Sequence, residues 1–119
     1  MAKLIHKKKI ILEDMKYATG TWEISRGLMF ARNKRIARGL CMKMPASKDI
    51  KFGSAVTMAF MLHGLDIIFV NSSNKVVDKV TLRPWKFTYI PKDKCIHIIE
   101  STIGKFKDIK IGDRIEIKL

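Results

Sequence analysis

Short apolar runs separated by turn residues make up most of the hydrophobic pattern along the chain. Runs of this length, punctuated by glycine, proline or asparagine, are typical of β-strands rather than of long helices. They lie at residues 3–12, 39–44, 54–62, 65–71, 76–82, 95–100 and 114–119. The pattern therefore predicts a mainly β domain of the α+β class, built as a small barrel-like sheet, antiparallel or mixed, with one or two short helices.

The N-terminal part of the chain carries two local signals. Its first run surrounds the triplet Lys7-Lys8-Lys9, and lysines commonly protect an exposed strand edge. We therefore predict that residues 1–17 form an edge strand and a turn. Thr21 can cap a short helix that extends to about Met29.

A hairpin and an alternating tail are the clearest local predictions. Asn71-Ser72-Ser73-Asn74-Lys75 is turn chemistry between two apolar runs, which predicts a hairpin loop. In the return strand, alternation places four side chains on one face, namely Val76, Asp78, Val80 and Leu82. In the tail, alternation directs three side chains inwards, namely Ile115, Ile117 and Leu119. Residues 101–108 are predicted to form one helical turn or a loop.

Length and composition limit the class of protein. A chain of 119 residues, 47% of them hydrophobic, can bury one core, so residues 1–119 are predicted to form a single domain. Cys41 and Cys95 stand in no CxxC or His-Cys spacing, so we expect neither a disulfide scaffold nor a metal, and no motif indicates a cofactor. No signal segment or spanning apolar run is evident. We expect a soluble, cytoplasmic protein without membrane insertion.

The basic residues are concentrated in the first half of the chain. The net charge is +13, and the first 52 residues hold 13 Lys and Arg against 4 acids. No acid occurs between Glu23 and Asp49. Such a stretch could attract an anionic partner or nucleic acid, or it could be a solvated surface without a partner. The candidate nucleic-acid contacts are Arg32, Lys34, Arg35, Arg38, Lys43 and Lys48.

Several ordered segments resemble one known family. They are Arg26-Gly27-Leu28-Met29-Phe30, Arg38-Gly39-Leu40-Cys41-Met42, Met58, Leu65-Asp66-Ile67-Ile68-Phe69, Val76-Val77, Glu100 with Gly104, and Ile111-Gly112-Asp113. Over about residues 18–119 the chain resembles the domain of unknown function 192, an uncharacterised family of bacteria and archaea. The resemblance implies a small, mostly β fold and no established activity. Phe60 and Met61 stand where family members commonly carry an Asn-Thr pair.

Asp66 is the most informative single residue, because a carboxylate in an apolar strand is costly to bury without a partner. We expect Arg26 to be that partner, with backbone amides contributing. The predicted ligand site consists of Asp66, Arg26 and His63. The alternative is that Asp66 belongs to a structural ion pair or caps a turn.

Catalytic motifs are lacking in the sequence. The histidines form no HxH or HExxH arrangement, and a nucleophile made of Cys41 or Cys95 with His97 has no support beyond residue type, although Cys95 and His97 would share a strand face. We predict a non-catalytic domain that binds a partner or a small ligand. The alternatives are nucleic-acid binding through the stretch from Arg26 to Lys48 and an enzyme of unrecognised type.

Overall fold

The computed structural model describes residues 2–18, 38–43, 64–83 and 95–119, which are almost entirely strands and turns. The strands are β1 (Ala2–His6), β2 (Lys9–Ala18), β3 (Leu40–Lys43), β4 (Leu65–Val70), β5 (Val76–Leu82), β6 (His97–Ser101) and β7 (Glu116–Lys118). They form one curled sheet in the order β5-β4-β6-β3-β2-β1-β7. Among these pairs β2 and β3 are parallel and the others are antiparallel. The predicted mainly β, barrel-like mixed sheet is confirmed, whereas the helix at 21–29 and the strand at 54–62 lie outside the described residues.

The N-terminal run forms a hairpin, where the sequence indicated one edge strand. His6 pairs with Lys9, so the loop consists of Lys7 and Lys8 alone. Both have positive φ angles, 50° and 66°, as a type I′ turn requires. The lysine triplet therefore marks a turn, and β1 is flanked on both sides, by β2 and by β7.

Strand β2 joins two parts of the curled sheet, because it pairs with β1 along its first part and with β3 along its last. Its residues up to Met15 pair with β1, and Lys16 to Ala18 pair with β3. Gly39 enters β3 with a φ of 88°, and a Cβ there would lie 2.6 Å from Leu12 Cδ1. The crossing from β2 to β3 therefore requires a glycine, both for its backbone conformation and for space.

The two outer strands of the sheet are linked through the segment that precedes β7. Val76 N donates to Asp113 O (2.8 Å), Gly112 N donates to Val76 O (2.8 Å) and Ile115 N donates to Asn74 O (2.9 Å). Lys75 and Arg114 form an antiparallel bridge at the same place. These bonds hold the sheet in a curled, half-barrel form.

Apolar side chains are buried on both faces of the sheet. The first cluster contains Leu40, Met42, Leu65, Ile67, Phe69, Leu82, Cys95 and Ile98. The second cluster contains Ala2, Leu4, Leu12, Met15, Cys41, Ile68, Val70, Val76, Ile99, Phe106, Ile109 and Ile115. All six residues of β4 are buried because the strand contributes to both clusters in alternation.

The β4–β5 hairpin confirms the predicted loop and corrects one predicted face. Asn71 Oδ1 accepts the N–H groups of Ser73 and Lys75, both at 3.0 Å, which closes the loop. A register shift follows, because Val70 pairs with Val76 but Phe69 pairs with Asp78. This bulge places Val76 in the second cluster and Leu82 in the first, so the prediction that they share a face was wrong.

The C-terminal tail follows its predicted alternation for two of the three side chains. Ile115 is buried and Ile117 packs against the second cluster, whereas Leu119 is 79% exposed. Ser101 ends β6 and residues 102–108 form a series of turns, which is the loop alternative of the prediction for 101–108. Within the described parts of the chain, no helix is long and apolar enough to cross a membrane.

Candidate ligand sites

Asp66 is buried on β4, and both of its carboxylate oxygens accept hydrogen bonds. Oδ1 accepts the hydroxyl of Thr81, which lies opposite on β5, and Oδ2 accepts the N–H of Gly104 at 2.8 Å. The carboxylate is therefore hydrogen-bonded at both oxygens, and one of the two donors is a backbone amide. Arg26 and His63 lie outside the described residues, so the ligand site of Asp66, Arg26 and His63 stays a prediction.

The turns at 102–108 are held to the sheet by two polar side chains. Asp66 binds the N–H of Gly104, as described, and Lys79 on β5 donates from Nζ to Phe106 O (2.6 Å) and Ile109 O (2.8 Å). Phe106 is fully buried in the second cluster. Asp66 therefore positions a surface turn, which is the turn-capping role that the sequence left open as an alternative.

Glu100 is a buried carboxyl that sequence reasoning did not select as a site residue. It lies on β6 between Leu40 and Ile67, its partners on the neighbouring strands, and is 5% exposed. Among the described residues it has no hydrogen-bond or ion-pair partner. Burial raises the pKa of Glu100 to about 7. The sequence did contain a signal for this buried acid. Glu100 ends the apolar run 95–100 and, two residues after Ile98, lies on the same strand face.

His97, the first residue of β6, forms a polar pair with Tyr17 of β2. The Tyr17 hydroxyl lies 3.3 Å from His97 Nε2, whereas His97 Nδ1 is buried without a partner among the described residues. Burial, with a smaller contribution from the Lys43 ammonium, lowers the pKa of His97. The imidazole is therefore neutral at pH 7.

The cysteine–histidine nucleophile considered from the sequence does not match this geometry. Burial raises the pKa of Cys41 to about 12, so its thiol stays protonated at neutral pH. Cys95 packs in the first cluster, whereas His97 contacts Tyr17, which packs against the second. Cys95 and His97 therefore do not share a face as predicted. The described residues contain no group of three or more His, Cys, Asp or Glu that could hold a metal ion.

A cleft of about 410 Å³ opens beside the start of β2. The described residues that line it combine apolar and charged side chains, namely Ile10, Ile11, Leu12, Glu13, Arg38 and Lys105. Ile10 is 49% exposed, so its side chain offers apolar surface to the cleft. We call this region the β2 cleft.

The two cations of the β2 cleft are supported by neighbouring groups. Arg38 Nη2 donates to Asp14 Oδ2 at 2.5 Å, and the pair is half exposed to solvent. Lys105 is carried by the turn that Asp66 and Lys79 hold. An arginine in one such ion pair keeps further N–H groups for another acceptor.

Exposed charges in the described residues are strongly unbalanced. Four acids are exposed, namely Glu13, Asp14, Asp108 and Glu116. Fourteen bases are exposed, namely Lys3, Lys7, Lys8, Lys9, Lys16, Arg38, Lys43, Lys75, Arg83, Lys105, Lys107, Lys110, Arg114 and Lys118. Of the predicted nucleic-acid contacts, Arg38 and Lys43 are exposed, whereas Arg32, Lys34, Arg35 and Lys48 lie outside the described residues.

Comparison with known proteins decides the family. The family model of the domain of unknown function 192, described as "Uncharacterized ACR", matches residues 3–117. The chain belongs to this family. The match begins earlier than the predicted residue 18 and therefore includes the N-terminal hairpin.

Relatives in the domain of unknown function 192 family and solved structures agree with this assignment. The UPF0127 protein of Thermococcus sibiricus is 35% identical over 112 residues, which are 92% of this chain and 70% of that protein. The UPF0127 protein of Pyrococcus furiosus is 31% identical over 114 residues, covering 94% and 93%. A Novosphingobium aromaticivorans protein of unknown function has a TM-score of 0.81 at 20% identity, covering 97% of this chain and 82% of that one. At that identity the likeness shows the fold alone.

Proposed function

We propose that this domain binds a small anion with a short apolar chain in the β2 cleft, without catalysis. The observation that carries the proposal is the half-exposed Ile10 in the same cleft as Arg38 and Lys105. Ligand sites typically combine apolar contact area with a few polar groups that fix orientation. The volume of about 410 Å³ lies within the range typical of ligand sites.

The apolar part of the ligand would pack on the start of β2. Ile10 is half exposed and Ile11 is partly buried, so both offer carbon surface that water now covers. Removing apolar surface from water contributes about 25 cal/mol per Å². This area favours a short alkyl or aryl group over a fully hydrated ion.

The anionic part of the ligand would pair with Arg38 and Lys105. Among the described residues, Arg38, Lys105 and Glu13 are the charged groups that line the cleft. Arg38 already pairs with Asp14, so Lys105 is the described lining cation whose charge no ion pair offsets. Arg38 is held by Asp14, which fixes its guanidinium before a ligand arrives and reduces the entropy lost on binding. A carboxylate can accept two parallel N–H bonds from such a guanidinium.

Binding without chemistry agrees with the groups that line the cleft. Among the described residues that line it, none is a histidine, serine or cysteine. The buried thiol of Cys41 and the imidazole of His97 line no part of it. Nucleophilic catalysis needs a nucleophile and a base within hydrogen-bond reach of the substrate.

Nuclear magnetic resonance titration with sodium hexanoate tests this proposal. Amide signals of residues 10–13, 38, 39 and 105 are expected to shift in a saturable manner. Hexan-1-ol lacks the charge and hexylammonium reverses it, so neither is expected to saturate the same signals. Shifts confined to other residues, or equal effects of hexylammonium, would refute the proposal.

A pair of matched variants separates the cleft from general hydrophobic attraction. Ile10→Ser removes apolar surface from the cleft, and Ile111→Ser removes it from another exposed site, since Ile10 is 49% and Ile111 52% exposed. Ile10→Ser is expected to weaken hexanoate binding several-fold, whereas Ile111→Ser is expected to leave it unchanged. Equal weakening by both would contradict a specific cleft.

Nucleic-acid binding through the stretch from Arg26 to Lys48 stays the alternative. Its support is the exposure of Arg38 and Lys43, the two of its six named contacts that the described residues include. An oligonucleotide competing with hexanoate for Arg38 would favour this alternative over a small ligand.

A further inference from the structure

A second cationic surface lies where the strand bridge links β5 to the segment before β7. Lys75 and Arg114 are direct partners in that bridge, and both side chains are exposed. Side chains directly opposite each other in an antiparallel pair are close neighbours, and like charges there repel. Neither side chain forms an ion pair with an acid in the described residues. The bridge therefore carries an unneutralised pair of positive charges.

Backbone hydrogen bonds fix this pair in place. Val76 N with Asp113 O, Gly112 N with Val76 O and Ile115 N with Asn74 O surround the bridge, all at 2.8–2.9 Å. The two charged residues cannot separate without breaking these bonds. Only their flexible side chains can move apart, so the positive potential stays at this position.

The N-terminal hairpin adds a third base to the surface. The β1–β7 pairing ends at Ile5 with Glu116, and Lys7 follows two residues after Ile5 in the turn of the hairpin. The charge of Lys7 contributes to the lowered pKa of Asp113, which places it near the same loop. Lys75 and Arg114 lie directly opposite each other, and Lys7 lies near the loop that carries Asp113. We call these three exposed bases the basic row.

Asp113 is the acid beside the basic row, and one of its carboxylate oxygens accepts two hydrogen bonds. Asp113 Oδ2 accepts a hydrogen bond from His6 Nε2 at 2.8 Å and another from Lys110 N at 3.0 Å. His6 is 4% exposed, so it anchors the carboxylate from inside the sheet. Asp113 therefore serves to hold the hairpin against the C-terminal loop.

We propose that the basic row binds the phosphodiester backbone of nucleic acid. Lysine is depleted at protein–protein interfaces, whereas it is a common point-charge ligand for phosphate. The charges come from segments distant in sequence and are separate from the stretch from Arg26 to Lys48. The proposal goes beyond the small-ligand function, because it uses another surface and another class of partner.

Fluorescence anisotropy with fluorescein-labelled 20-nucleotide DNA, single-stranded and duplex, tests the proposal. Binding is expected at about 50 mM salt and is expected to weaken as salt rises, because phosphate contacts release counterions. The double variant Lys75→Gln/Arg114→Gln is expected to raise Kd at least tenfold. It should also reduce the slope of log Kd against log salt by about 1.8 for duplex DNA, two contacts at about 0.9 each.

Controls with the same change in charge make the result decisive. Lys16→Gln/Lys107→Gln removes two exposed bases from β2 and from the 102–108 turns, and is expected to leave Kd within about twofold. Equal losses in both double variants, or no binding by the unmodified chain at 50 mM salt, would overturn the proposal. So would equal competition by polyglutamate of the same charge, which would assign the surface to acidic proteins. Thermal unfolding of each variant verifies that it is folded.

Discussion

Asp66 and Gly104 are joined by a 2.8 Å hydrogen bond from the backbone N–H of the glycine to the carboxylate. The bond connects a buried central strand to a surface turn 38 residues later in the chain. Thr81 occupies the other carboxylate oxygen, so the charge is stabilised on both sides. Lys105, one of the two cations of the β2 cleft, follows directly after Gly104.

This arrangement predicts coupling between Asp66 and Thr81. Asp66→Ala removes two hydrogen bonds to a charged group and is expected to cost about 3 kcal/mol of unfolding free energy. Thr81→Val is expected to cost about 1 kcal/mol. Urea unfolding of the single and double variants measures both losses. Because the two side chains share one bond, the double variant should lose less than the summed single losses, and strict additivity would contradict the pairing.

Glu100 predicts a fall in stability as pH rises towards neutrality. Its folded pKa of about 7 lies above the ordinary 4.5, so between these values the unfolded chain loses a proton that the folded chain retains. Unfolding free energy is expected to fall across pH 4.5–7 by an amount on the order of 3 kcal/mol and to stay lower above it. Chemical denaturation at pH 5 and pH 8 measures the change.

Glu100→Gln is the matching control, because glutamine keeps the shape of the side chain and cannot ionise. This variant is expected to be more stable than the unmodified chain at pH 8 and to lose the Glu100 contribution to the pH dependence. If the pH profiles of the two proteins coincide, Glu100 ionises normally in the folded state.

We expect the ionisation of Asp113 to change stability in the opposite direction, at lower pH. The N–H of Lys110 and, next, the hydrogen bond from His6 lower the pKa of Asp113 below its ordinary 3.8. A depressed acid pKa stabilises the fold above pH 3.8, and this contribution is lost as pH falls through the folded value. Asp113→Asn should therefore lower the melting temperature at pH 6 and have a much smaller effect at pH 2.5. An equal loss at both values would show that charge is not the cause.

We expect a substitution of Gly39 to cause a steric clash in addition to backbone strain. Gly39 and Gly112 both have positive φ angles, 88° and 98°, so alanine is strained at each. A Cβ at Gly39 would lie 2.6 Å from Leu12 Cδ1, whereas nothing lies within 4 Å of one at Gly112. Gly39→Ala is expected to be more destabilising than Gly112→Ala by at least about 1 kcal/mol. Equal losses in urea unfolding would mean that Leu12 moves aside without cost.

Local patterns predicted most of the strands and fewer of the contacts. The strand at 76–82 and the loop at 71–75 follow from alternation and turn residues, which are local properties. The bulge beside Val76 could not be predicted from the alternation of apolar and polar residues in that strand. Lys7 and Lys8 adopt a turn without the Asn-Gly signal of a type I′ hairpin, because the pairing of β1 with both neighbours outweighs local preference.

The site contacts depended on residues distant in the chain. Asp66 was recognised as a buried acid, but Thr81 and Gly104 could not be chosen as partners without the strand register. Glu100 was named within the family pattern, but its burial between Leu40 and Ile67 follows only from the pairing of the two strands beside it. The basic row combines Lys7, Lys75 and Arg114, which are far apart in the sequence. Counting charge along the sequence therefore selected the stretch from Arg26 to Lys48 instead.

The central claim is tested most directly by the dissociation constant for hexanoate, measured by calorimetry at fixed ionic strength. Arg38→Gln/Lys105→Gln is expected to raise Kd at least tenfold, since it removes both cations from the β2 cleft. Lys107→Gln, an exposed neighbour outside the cleft lining, is expected to leave Kd unchanged. Equal affinity of the unmodified protein and the double variant would contradict anion binding in the cleft.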